Sequence, residues 1–189
     1  MFLLQAIAVV LGLINVGLIV LRSLWNYPFG IVMVVLYAYI FFDARLYSDA
    51  LLQIFFFVIQ IYGWLHWARV AAQTGDVAVV RLTPRLQLAW LIGCAVATVI
   101  WGWGMSHFTN AAYPWWDGSV AILSVAAQLL MSRRFLENWV LWIAVDLLAI
   151  GLYAAKDLWL TAGLYGVFLL LAIWGLFGWR GAERRMAAA

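Results

Sequence analysis

Asp146 is the one acidic residue in an apolar run that begins after Glu137 and ends at Lys156. At about 1.5 Å per residue, a helix over this run matches the roughly 30 Å hydrocarbon core of a bilayer, so the carboxyl falls near its centre. A charge at that depth costs at least about 2.5 kcal/mol and has to face other helices or a wet cavity. Trp139, Trp142 and Tyr153 share its helical stripe, and Asn138 stands one turn before Trp142. A carboxylate between indoles and a phenol suits a flat, cationic solute, held by stacking and cation-π attraction. The competing reading is structural: Asp146 protonated or hydrogen-bonded to a neighbouring helix, with the indoles as packing.

A second stripe carries Gln53, Phe57, Gln60, Trp64 and Trp67. Two amides one heptad apart would be costly against lipid, so this stripe is expected to face inward, as solute contacts or as interhelical glue. Asp117, Ser124 and Gln128 align on a third segment, and Asn15 lies inside the first apolar run. His66 and His107 are far apart and lack companions at ligand spacing, which argues against a metal site. No HExxH helix and no GxSxG elbow occurs. These residues point to recognition without covalent chemistry: no enzyme and no cofactor. Cys94, the sole cysteine, sits in an apolar run and excludes an intrachain disulfide.

The elements that must position these groups are membrane helices. Of 189 residues, 68% are hydrophobic and 10% charged, with a mean hydropathy of +1.02; soluble domains carry about 25% charge. The first run has no basic stretch before it and no small-residue cleavage site after it, so it is expected to be retained. Apolar runs at about 1–21, 27–42, 48–68, 87–106, 113–131, 138–155 and 158–179 predict an all-α integral membrane protein with seven transmembrane helices. The net charge of +3 comes from residues scattered between these runs, which form no nucleic-acid-binding patch.

With seven spans, one side receives Arg22, Arg69, Arg81, Arg85, Arg133, Arg134, Arg180, Arg184 and Arg185, and the other only Arg45 and Lys156. The positive-inside rule makes the first side cytoplasmic, with the N-terminus outside and the C-terminus inside. Sliding the chain by 112 residues aligns Leu24 with Leu136, Asn26 with Asn138, Leu46 with Leu158, Gly63 with Gly175 and Trp67 with Trp179. The implied plan is 3+1+3, two parallel triplets joined by a linker helix. Its divisions are 1–69 (first bundle), 70–106 (loop and linker helix), 107–180 (second bundle) and 181–189 (tail). Parallel repeats of this kind occur in transporters with a midplane solute site between the halves.

The stretch Glu137, Asn138, Trp139, Trp142, Asp146, Tyr153, Lys156, Thr161 and Tyr165 resembles the C-terminal signature of the PnuC-type vitamin transporters. Trp25 to Gly30, Tyr37, Leu46 to Asp49, Gln53, Tyr62 to Trp64 and Trp67 resemble their N-terminal half. The resemblance implies a topology similar to the SWEET sugar transporters, a place in the cell inner membrane, and uptake of nicotinamide riboside by facilitated diffusion. It further implies trapping by a cytosolic kinase and a trimeric assembly. By the same resemblance, Asn138, Trp139, Trp142 and Gln53 match positions associated with the substrate. Two alternatives stand beside this reading: a transporter of thiamine or another vitamin, and a membrane scaffold that transports nothing.

Overall fold

The computed structural model of the chain describes residues 2–43, 47–109 and 113–187. They form α1 (Phe2–Val20), α2 (Asn26–Asp43), α3 (Tyr47–Thr74), α4 (Pro84–Phe108), α5 (Pro114–Ser132), α6 (Asn138–Ala155) and α7 (Trp159–Ala187). Arg45 and Leu46, which entered the sequence expectations, lie outside the described residues.

Local chemistry sets the boundaries. Pro84 and Pro114 open α4 and α5, where a missing backbone N–H costs nothing, and the Thr83 hydroxyl accepts the Leu86 N–H at 3.4 Å. The α1, α5 and α6 helices stop at left-handed residues: Arg22 (φ 57°), Arg134 (φ 66°) and Asp157 (φ 57°). Each stop is a Schellman turn, with Ser23 N–H donating to Leu18 O at 2.9 Å, Phe135 N–H to Leu130 O at 3.0 Å and Leu158 N–H to Tyr153 O at 2.8 Å.

Among the described residues, six helices are long and apolar enough to cross a membrane: α1, α2, α3, α4, α6 and α7. The seventh expected span, α5, has the length to cross at 19 residues and falls short in hydropathy alone, which its Asp117, Ser119, Ser124 and Gln128 lower. It is flanked by α3, α4 and α6, and these four residues are half-buried.

Neighbours in sequence pack as α1 on α2 on α3 and as α5 on α6 on α7, and the two sets join through α1 with α7 and α3 with α5. These contacts close a ring of six helices. The remaining helix, α4, packs on α5 outside the ring, at Gly102 and Gly118, where Trp115 and Trp101 lie across the glycines. Its Leu91, Ile92, Val99 and Ile100 are each more than half exposed, as a lipid-facing surface requires. The main buried cluster gathers Ile19, Tyr27, Trp67, Met131, Trp139 and Trp179 at the end of the ring that carries Arg22 and Arg134.

Candidate functional site

The sixth helix holds its predicted residues on an inward stripe. Asn138, Trp139 and Asp146 are buried, and Trp142 and Tyr153 are half-buried. The Asn138 amide donates to Phe135 O at 2.6 Å, closing the first turn of the helix, and leaves its own Oδ1 without a partner. Trp139 meets the edge of Trp179 at 5.5 Å and 87°, over Gly175. Its ring is enclosed by packing in this structure. Trp142 keeps part of its surface open.

Asp146 faces a tyrosine group that the stripe argument only partly found. Tyr153 stacks on Tyr165 of α7 at 5.2 Å, and Tyr165 lies within electrostatic reach of Asp146, Tyr153 and Tyr37 of α2. The sequence placed Tyr37 and Tyr165 in family-like motifs but gave no signal that they meet.

The stripe on α3 divides. Gln60 and Trp67 are buried and Gln53 is half-buried, whereas Phe57 and Trp64 are each 37% exposed. Trp64 lies parallel to Tyr27 at 6.2 Å. Gln60 shares a niche with Asn15 of α1 over Gly30 of α2: a methyl built on Gly30 would stand 2.1 Å from Gln60 Oε1 and 2.6 Å from Asn15 Nδ2. Asn15 donates to Asn26 O at 2.7 Å, while Gln60 Oε1 has no partner. On α5, Gln128 is half-buried, Ser124 bonds back to Val120 O, and Asp117 pairs with Lys156 at 3.4 Å, away from the stripe on α6.

At the offset of 112 positions, Asn15, Gly30 and Gln60 correspond to Ala127, Trp142 and Ala172. One half builds two amides around a glycine, and the other an indole between alanines. Among the described residues five buried polar atoms lack a partner: Gln60 Oε1, Asn138 Oδ1, Trp139 Nε1 and Trp142 Nε1, and Arg134 Nε at the α5–α6 corner. Such groups cost roughly 1–3 kcal/mol each when left unpaired, and most buried polar atoms in proteins are paired.

Comparison with known proteins bears on this arrangement. A sequence model of the nicotinamide mononucleotide transporter family matches residues 2–181. The chain is 30% identical over 209 residues to the nicotinamide riboside transporter PnuC of Escherichia coli (strain K12), covering 95% of this chain and 86% of that one. It is 30% identical over 196 residues to the nicotinamide riboside transporter PnuC of Neisseria mucosa, with 96% and 73% covered. It is also 28% identical over 180 residues to the riboflavin/roseoflavin transporter RibM of Streptomyces davaonensis, with 93% and 84% covered. The crystal structure of the vitamin B3 transporter PnuC superimposes with a TM-score of 0.78 at 29% identity, over 96% of this chain and 82% of that one.

Proposed function

This chain belongs to the nicotinamide mononucleotide transporter family, and from that premise we propose that it takes up nicotinamide riboside across the cell inner membrane by facilitated diffusion. The observation that carries the reading is that, of the five partnerless buried polar atoms among the described residues, four belong to Gln60, Asn138, Trp139 and Trp142 on helices of the six-membered ring. A solute rich in hydroxyl and carboxamide groups supplies the partners that these atoms lack. The amide niche of the first half hydrogen-bonds it, Trp142 stacks on its flat ring, and Asp146 offsets the pyridinium charge, with Gln53, Phe57, Trp64, Gln128 and Tyr153 as further lining.

The same reading includes two parallel three-helix bundles, 1–69 and 107–180, with the stretch 70–106 as connection and linker helix and 181–189 as a tail. Support for this 3+1+3 plan comes from helix bounds that keep the offset of 112: Phe2–Val20 against Pro114–Ser132, and Asn26–Asp43 against Asn138–Ala155. Each bundle then has the same orientation in the bilayer, with the arginine-rich end cytoplasmic, the N-terminus outside and the C-terminus inside. A cytosolic kinase traps the vitamin after entry, and the protein assembles as a trimer. Asp146 is the acidic residue at mid-helix depth, without a basic partner on the described spans, which favours uncoupled movement.

The test is calorimetric titration of the purified protein with nicotinamide riboside, thiamine and riboflavin. Tightest binding of nicotinamide riboside is the expected result. Preference for thiamine or riboflavin would reassign the solute, and binding of none of them would favour the scaffold reading.

A further inference from the structure

After α3, residues 75–83 cross the arginine-rich end of the ring before α4 begins, and they bind both halves in turn. Arg22, at the α1–α2 corner, reaches Asp76 Oδ2 at 2.7 Å and donates to Val77 O at 3.0 Å. Arg134, its counterpart at the α5–α6 corner, donates to Ala78 O. Val80 then pairs with that corner through two main-chain bonds, its N–H to Arg134 O at 3.0 Å and its carbonyl from Leu136 N–H at 2.8 Å. Glu137 accepts from Leu82 N–H at 3.2 Å and from Gln87 Nε2 at 3.0 Å, and Arg81 pairs with Glu183 of α7.

Between these tethers Val77 is buried in the cluster that holds Ile19 of α1, Trp67 of α3, Met131 of α5, Trp139 of α6 and Trp179 of α7. With Tyr27 of α2 in the same cluster, it sits where all six ring helices converge, and with the buried Trp67 and Trp179 it fills that end of the ring.

The two attachments differ in strength. The first half holds the segment through Arg22 at the α1–α2 corner and through Thr74 Oγ1, which donates to Asp76 O at 2.6 Å at the end of α3. The ion-pair partner Asp76 is 53% exposed, so water and salt screen the attraction to Arg22. The second half holds it through a main-chain ladder, a glutamate that accepts twice and a further ion pair.

We propose that residues 76–82 are the closure of the arginine-rich mouth of the transport route, with Val77 as the plug, and that the closure opens by parting from the α1–α2 corner while it stays docked on the α5–α6 corner. The inference rests on the transporter reading, so its test uses no solute. In a Cys94→Ser background, Ala172→Cys places a thiol in the buried cluster, and its labelling by a water-soluble maleimide is timed in nanodiscs, where both faces are accessible. Asp76→Asn and Arg22→Gln are expected to speed labelling about two- to five-fold, the population shift that loss of one partly exposed ion pair brings. Arg81→Gln, on the docked side, is expected to leave the rate within about two-fold of the parent. Thermal midpoints recorded alongside separate opening from unfolding. Unchanged labelling in both Asp76→Asn and Arg22→Gln would overturn the proposal, as would an equal rise in Arg81→Gln or a rise that tracks the fall in midpoint. A wrong solute assignment leaves all of these rates untouched.

Discussion

Trp67 and Trp179 stand 5.7 Å apart between ring centroids, and each donates its indole N–H to the main chain of the other half: Trp67 to Met131 O at 3.3 Å and Trp179 to Ile19 O at 3.1 Å. Both the donors and the acceptors are 112 positions apart. Each accepting carbonyl also takes the N–H of the left-handed arginine that ends its helix, Arg22 at 2.9 Å and Arg134 at 2.8 Å. The exchange ties the two halves together at the arginine-rich end.

Trp67→Phe and Trp179→Phe keep a ring but remove the crossing hydrogen bond. Each is expected to destabilise the protein by about 0.5–1.5 kcal/mol, since the carbonyl retains its second donor. Thermal unfolding in detergent measures this. Similar losses for the two variants are expected, and a loss confined to one would show that the halves do not share the load.

Tyr27 packs over Gly63 as Trp139 packs over Gly175. A methyl at Gly63 would meet the Tyr27 hydroxyl at 2.8 Å, and one at Gly175 the Trp139 ring at 2.5 Å. Gly175→Ala is expected to cost about 1–3 kcal/mol, because the buried indole has no room to move. Gly63→Ala should cost less, as it meets the far end of a side chain. Trp139→Phe in the Gly175→Ala protein should recover part of the loss in thermal midpoint, and no recovery would place the strain elsewhere.

Gly30→Ala tests the amide niche. The added methyl evicts Gln60, and loss of one hydrogen bond predicts about two- to ten-fold weaker binding of nicotinamide riboside. Gly17→Ala, where a methyl meets nothing within 4 Å, is the control and should bind as the parent does. If Gly30→Ala binds normally while the thermal midpoint falls, Gln60 serves packing alone.

Asp146→Asn separates charge from shape. The amide keeps the side chain's volume and its capacity to hydrogen-bond, so the fold is expected to persist. Binding of the cationic riboside should weaken markedly, and binding of its reduced, uncharged form should change little, since only the former gains from a carboxylate in a dry site. Calorimetry with both ligands reads the difference, and equal losses would assign Asp146 to helix organisation.

By itself the sequence determined what depends on local physics. Hydropathy and length marked the helices because a bilayer demands about 20 apolar residues per crossing, and the proline and left-handed corners fell where the apolar runs broke. Periodicity put Asn138, Trp139, Trp142 and Asp146 on one stripe because a helix repeats every 3.6 residues. A stripe does not say what it meets. Only the tertiary structure decided that Trp139 is enclosed by Trp179 while Trp142 stays partly open, that Tyr165 comes near Asp146, and that Gln60 shares a niche with Asn15. It decided the surroundings of α5 as well: the sequence aligned Asp117, Ser124 and Gln128 on this helix, and the structure packs it against α3, α4 and α6. The polar segment after α3 read as an ordinary loop, because its partners Arg22, Arg134, Glu137 and Glu183 are dozens of positions away and are brought to it by packing between helices, which one-dimensional periodicity cannot encode.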